Sequence, residues 1–150
     1  SNAFDNLKLI EEISKYFGAQ SIVGSIDIKQ SFFGGQKVYS HHGKKKQSIG
    51  IVEWAIQLEK AGVGELLITS VDKEGSWDGY DVELIKSITH SVQVPVIANG
   101  GCGAVEHIGE VVKKANASAC AVGSMVVYQK KAMGVLVNFP DREILEEVLR

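Results

Sequence analysis

The chain has 150 residues, the size of one compact domain, with 45% hydrophobic and 23% charged residues. That mix excludes a disordered tail, a collagen-like repeat and a coiled coil. Sixteen Lys+Arg against eighteen Asp+Glu give a formal charge of −2, which excludes an overall basic field for nucleic acid.

Ser1-Asn2-Ala3 reads as the remnant of a cleaved expression tag, so residues 4–150 are taken as the domain. The absence of an initiator Met is read as a natural start further upstream. The spacing of Leu7, Ile10, Ile13 and Phe17 predicts an amphipathic helix over 6–17, ended by Gly18. Residues 21–27 read as a buried strand closing on Asp27. Gly34-Gly35, between Phe32-Phe33 and Lys37-Val38-Tyr39, predicts a hairpin excursion. Lys44-Lys45-Lys46 is placed in the following loop. A helix is expected over 51–61, then a strand over 65–72, a loop over 75–79 and a helix over 82–90. A third strand covers 94–98. Asn99-Gly100-Gly101 turns into a helix over 104–114, a fourth strand covers 117–122, and Gly123-Ser124 leads into a short helical turn. A last helix covers 141–150, with Pro140 near its first turn.

Strands alternating with helices imply a parallel sheet with right-handed crossovers. The strands are near-continuous apolar runs, as expected where both faces are covered. Ser25-Ile26-Asp27 and Ser70-Val71-Asp72 mark an internal repeat. Two architectures fit, a small doubly wound sheet or half of an eight-stranded (β/α) barrel. A full barrel needs about 250 residues, so this chain supplies four of the eight units.

Glycine pairs after two consecutive strands suggest an anion site. Glycine lets a ligand approach the backbone, and N–H groups at a helix start attract negative charge. The dipole alone contributes only ~0.3–1 kcal/mol, so hydrogen bonds must carry most of such binding. The bland reading of either pair is turn chemistry.

The runs GSIDIK, GVGELLITSVDKEG, GYDVELI, PVIANGG and AVGS resemble the HisF family, the cyclase subunit of imidazole glycerol phosphate synthase. The likeness covers residues 4–137 and falls on the C-terminal half of that barrel. It implies a (β/α)8 fold and a cytoplasmic enzyme of histidine biosynthesis, a lyase that takes ammonia from a glutaminase partner. That enzyme converts a bisphosphorylated ribulosyl carboxamide to imidazole glycerol phosphate and an aminoimidazole carboxamide ribotide. By resemblance, Asp27 is the general acid/base and Thr69 a substrate-site residue. Gly75, Asn99, Gly100, Gly101, Gly123 and Ser124 are the substrate- and phosphate-binding positions. Asn99 stands where the family usually has Ser. Glu65 matches a member of the charged ring through which ammonia enters. Asp72 and Glu74 are possible assisting residues, and Glu74 stands where the family usually has Asp. No cofactor and no metal are expected.

Read without the resemblance, Asp27 is a cap or loop carboxylate, Glu65 a solvated strand-start charge, and Asp72 and Glu74 anchor a loop. His41-His42 lacks a partner at metal spacing. Trp54 and Trp77 are expected to pack, and so is Cys102. Cys102 and Cys120 are too few for a disulfide framework. No apolar run approaches the ~18–20 residues of a membrane span. The half-barrel is expected to expose two parallel edges and an uncovered inner face, and so to self-associate into an eight-stranded homo-oligomer. The missing second carboxylate predicts no cyclase turnover from this chain alone. Two other functions are kept open. Glu74 and the tail from Gly123 to Pro140 fit HisF-like paralogues that deliver ammonia for amidation of a surface-polysaccharide sugar. A non-catalytic phosphate-binding half-barrel is the third reading.

Overall fold

The computed structural model of the chain describes residues 2–31, 34–40, 45–129, 131 and 133–150. Phe32, Phe33 and the segment 41–44, which includes His41, His42 and Lys44, lie outside the described residues.

A short helix α1 (Asn2–Asp5) precedes α2 (Leu7–Phe17). The Asn6 side chain caps α2 by accepting from the Leu9 amide at 3.1 Å. Ala3 and Phe4 of α1 pack against the core, and the Phe4 ring stacks on Trp54 with centroids 4.0 Å apart. Residue 3 therefore takes part in packing, although the sequence reading set it aside. Strand β1 (Val23–Gln30) runs past Asp27, turns through Gly34-Gly35 and returns as β2 (Gln36–Ser40). The hairpin is present as expected, but Lys45–Lys46 form a two-residue strand, β3, instead of a loop. Next come α3 (Ile51–Lys60), β4 (Glu65–Ser70), α4 (Val82–Thr89), β5 (Val96–Asn99) and α5 (Val105–Ala115). The fourth parallel strand, β6 (Ala119–Cys120), is far shorter than the predicted 117–122. Helix α6 (Ser124–Val127) follows, and α7 (Arg142–Leu149) closes the chain.

The strands form one open sheet in the order β3-β2-β1-β4-β5-β6. β1, β4, β5 and β6 are parallel neighbours, which is the four-unit arrangement expected of a partial barrel. The hairpin is antiparallel and sits on the outer side of β1, where it pairs with Asp27–Gln30. One expected open edge is thus half covered, and among the described residues Val23–Ile26 have no strand partner on that side.

Period-two alternation sorts the strands into two faces. Ile26, Ile28, Val38, Leu66, Ile68, Val96 and Ala98 face the helices, each at most 1% exposed. They pack on Trp54, Ala55 and Leu58 of α3, on Leu84, Ile85 and Ile88 of α4, and on Val111 and Ala115 of α5. Among the described residues, the opposite face carries no helix. There Ser25, Leu67, Ile97 and Ala119 form one row in register, and Asp27, Thr69 and Asn99 form the row above. This corrects the expectation of strands covered on both faces. A barrel's inner face is filled by residues from opposing strands, and four strands supply one side of that filling.

Candidate functional site

The site lies at the C-terminal ends of the parallel strands, where open α/β sheets and barrels gather their loops. In the upper row of the bare face, Asn99 Nδ2 donates to Thr69 Oγ1 at 3.1 Å. Asp27 is next to Thr69 across the sheet, half-buried. Its carboxylate accepts no hydrogen bond from the described residues.

Beside this row, Glu74, Gly75, Asn99, Gly100, Gly101, Cys102, Ala121, Gly123 and Ser124 line a hollow of about 90 Å³. Seven of the sequence-predicted positions converge on it: Glu74, Gly75, Asn99, Gly100, Gly101, Gly123 and Ser124. The amides of Gly75, Gly101, Gly123 and Ser124 donate to no acceptor among the described residues. Gly101 is buried, so its idle N–H carries the cost of an unmade bond unless a ligand or water accepts it. Four donors around one small hollow can hold an oxyanion, while Glu74 sets an exposed carboxylate on the rim.

The glycines differ in their reasons. Gly100 and Gly101 have φ of +93° and +104°, and a side chain at either would meet backbone: Ser70 O at 2.6 Å for Gly100, and Gly79 O for Gly101. The Gly79 amide donates to Gly101 O at 2.9 Å, so these two loops touch main chain to main chain. At Gly75 and Gly123 an added Cβ would meet nothing within 4 Å, so the room there lies on the open side.

Two residues tie the loops around the hollow together: Tyr80, which the sequence did not single out, and Cys102, which it expected to pack. Tyr80, 5% exposed, donates its hydroxyl to Ala121 O at 2.9 Å and so ties the start of α4 to the loop after β6. The Cys102 thiol donates to Met125 Sδ at 3.4 Å, tying the loop after β5 to α6. Burial raises the Tyr80 hydroxyl pKa, with the Cys102 thiol adding to the rise. Burial raises the Cys102 thiol as well, and pushes Cys120 up to about 11. Cys102 is thus an inert packing thiol, as the sequence suggested.

The remaining predicted residues stand apart from the hollow. Asp72 Oδ2 accepts from the Gln30 amide at 2.6 Å, which clamps the end of β1 to the loop after β4 and fits the loop-anchor reading. Glu65 starts β4 at the far, N-terminal end of the sheet, paired with Val23. Trp54 is buried in the core, and half-buried Trp77 holds a left-handed φ of 70° against Gly103.

A family model described as "Histidine biosynthesis protein" matches residues 1–132 of the sequence. The chain belongs to the histidine biosynthesis protein family. Among its curated relatives, the HisF subunit of imidazole glycerol phosphate synthase from Sulfurisphaera tokodaii is 46% identical over 122 residues, covering 79% of this chain and 47% of that protein. A Pseudomonas aeruginosa PAO1 protein whose name assigns it to subunit hisF2 of that synthase is 41% identical over 139 residues, covering 93% and 55%. The HisF subunit of Clostridium botulinum strain 657 is 36% identical over 144 residues, covering 95% and 57%. The HisF resemblance seen in the sequence therefore holds, and the chain spans about half the length of the curated relatives it matches.

Proposed function

We propose that the chain is the C-terminal half of a HisF-type cyclase subunit, working in the cytoplasm with a glutaminase partner. In the complete enzyme, glutamine-derived ammonia and a bisphosphorylated ribulosyl carboxamide yield imidazole glycerol phosphate and an aminoimidazole carboxamide ribotide. The observation that carries the reading is the set of idle amides at Gly75, Gly101, Gly123 and Ser124 around one hollow, next to Asp27 on the bare face. The hollow takes one substrate phosphate. Asp27 moves the proton, a role that typically contributes ~10²–10⁴-fold. Thr69 and Asn99 hold the substrate between them, and Asp72 keeps the loop that carries Glu74 in place. Glu65, at the opposite end of the strands, belongs to the ammonia entrance.

This half supplies one carboxylate at the Asp27 position and one cradle, so the 150-residue chain alone gives no cyclase turnover. Its bare face and the open Val23–Ile26 edge support pairing with a second copy. Glu74 favours a second reading, an ammonia-delivering subunit for amidation of a surface sugar, in which the cyclase step is absent. A thermal-shift titration with glycerol phosphate and ribose 5-phosphate tests the shared core. A rise in Tm at millimolar ligand is expected, and no rise would remove every phosphate reading. Cyclase assay of the gene's full-length product then separates the two enzyme readings.

A further inference from the structure

The chain after α6 doubles back on itself beside the hollow. Tyr128 bridges Val135, and the Gln129 amide donates to Gly134 O at 3.1 Å. The Leu136 and Asn138 amides return to Val127 O and Val126 O at 3.0 and 2.9 Å. This small hairpin is therefore rooted on α6, which begins at Ser124 on the donor edge of the hollow. From its turn, Lys131 Nζ donates to Ser76 O at 2.6 Å, across 55 residues of sequence. Ser76 follows Gly75, a lining residue on the loop after β4. The tie thus joins the two segments that carry Gly75 and Gly123, the lining glycines at which an added Cβ would meet open space.

Charge gives this tie a second meaning. The loop after β4 carries Asp72, Glu74 and Asp78 against Lys73. The other lining residues, Asn99 to Cys102, Ala121, Gly123 and Ser124, bear no charge. An oxyanion in the hollow finds amide donors there, but they bring no net charge, and the acidic loop repels a dianion. Lys131 is exposed, and no carboxylate neutralises it: the ion pairs among the described residues are Lys114–Glu110 and Arg142–Glu146. An ammonium carries three donors, so the bond to Ser76 O leaves two of them facing water. Adjacent Cα atoms lie ~3.8 Å apart, so an ammonium seated on Ser76 O stands about one residue from the Gly75 amide.

We infer that Lys131 is the cationic residue of this one hollow, stationed on Ser76 O and turning to a phosphate dianion held by the amides of Gly75, Gly101, Gly123 and Ser124. The amides fix the position of the ligand's oxygens, and the lysine supplies the charge that offsets the loop's carboxylates. Hydrogen bonds with an ionised donor and acceptor are shorter and stronger than neutral ones, so this contact favours a dianion over a monoanion or a neutral polar group. A lysine suits the task because its compact charge sits on a flexible four-carbon stem. The inference rests on the phosphate reading of the hollow and adds to it the residue that selects for charge.

Residue-resolved amide NMR of the chain, titrated with inorganic phosphate and read at Gly75 and Gly101, tests it. Lys131→Gln keeps a donor for Ser76 O but loses the charge, and is expected to bind phosphate about fivefold or more weakly, the scale of an exposed charge pair. Lys131→Arg keeps the charge and is expected to stay within about twofold of the wild type. The Tm of both variants should match the wild type, because the side chain is exposed. A parallel titration with sulfate and nitrate reads charge selection directly: the wild type should prefer the dianion, and Lys131→Gln should lose most of that preference. Wild-type affinity in Lys131→Gln would overturn the inference and leave the hollow's role standing. Equal weakening in Lys131→Gln and Lys131→Arg would mark the lysine as a tether between loops and overturn it too. No shift at Gly75 or Gly101 in the wild type at millimolar phosphate would remove the phosphate reading itself, and the inference with it.

Discussion

Gly101 and Gly123 follow neighbouring strands and read alike in the sequence, yet they answer to different physics. A Cβ on Gly101 would strike the Gly79 carbonyl, and its φ of +104° strains any other residue. Gly101→Ala is expected to lose at least ~1–3 kcal/mol of stability. Gly123 has open space around it, so Gly123→Ala should hold stability within ~0.5 kcal/mol. The added methyl crowds the donor edge, so phosphate should bind about tenfold more weakly, the loss of ~1.4 kcal/mol. Urea denaturation and phosphate titration of the two variants check both outcomes. The buried thiols and phenol make a second residue-scale prediction. The native state keeps Cys120 protonated to about pH 11, and also raises Cys102 and Tyr80. The unfolded chain releases thiol protons near pH ~8.5. Between those values the unfolded state binds fewer protons, so stability is complete below that range and falls as pH rises through it. Denaturation midpoints measured from pH 7 to 11 should show this decline, and Cys102→Ala/Cys120→Ala should flatten it.

At the scale of elements, the hairpin is held by side chains distant in sequence. Asp81 caps α4 by accepting from the Leu84 amide at 3.1 Å, and its other oxygen accepts from Gln36 Nε2 at 2.5 Å. One carboxylate thus joins β2 to the start of α4, while Asp72 joins β1 to the loop before it. Asp81→Ala is expected to lose ~1–2 kcal/mol, more than a cap on an isolated helix, and to weaken amide protection across 36–40. Hydrogen exchange of the variant checks this. Element types were legible because the helices carry their apolar residues at 3.6-residue spacing and the strands end in glycine turns. The extra strand at Lys45–Lys46 was not, because two lysines carry no strand pattern and are strand only through pairing with Tyr39 and Ser40. β6 shortened for the converse reason. An apolar run over 117–122 suits a strand, but among the described residues it pairs with β5 alone, and pairing stops at Cys120.

At the scale of the molecule, one face of the sheet is helix-covered and the other bare. Apolar side chains lie exposed at both ends of the sheet: Tyr16, Phe17 and Val23 near β1, and Val135, Leu136, Val137 and Phe139 beyond β6. Such surface is a liability in water. Light scattering on a size-exclusion column should show a dimer whose fraction rises with concentration. Val23→Lys, placing a charge on the open edge, should shift it toward monomer. A wild-type monomer at micromolar concentration would refute the pairing.

The order of the four parallel strands and of the helices between them, the hairpin and the loops that carry the donors were readable from the residues. Hydrophobic period and turn chemistry are local properties, written within a dozen neighbours. What only the folded chain decided was which glycines touch main chain and which border open space, that Tyr80 and Met125 support the hollow, and that Lys131 reaches Ser76. Those facts depend on register and on loops meeting across tens of residues, and no local pattern encodes such distances.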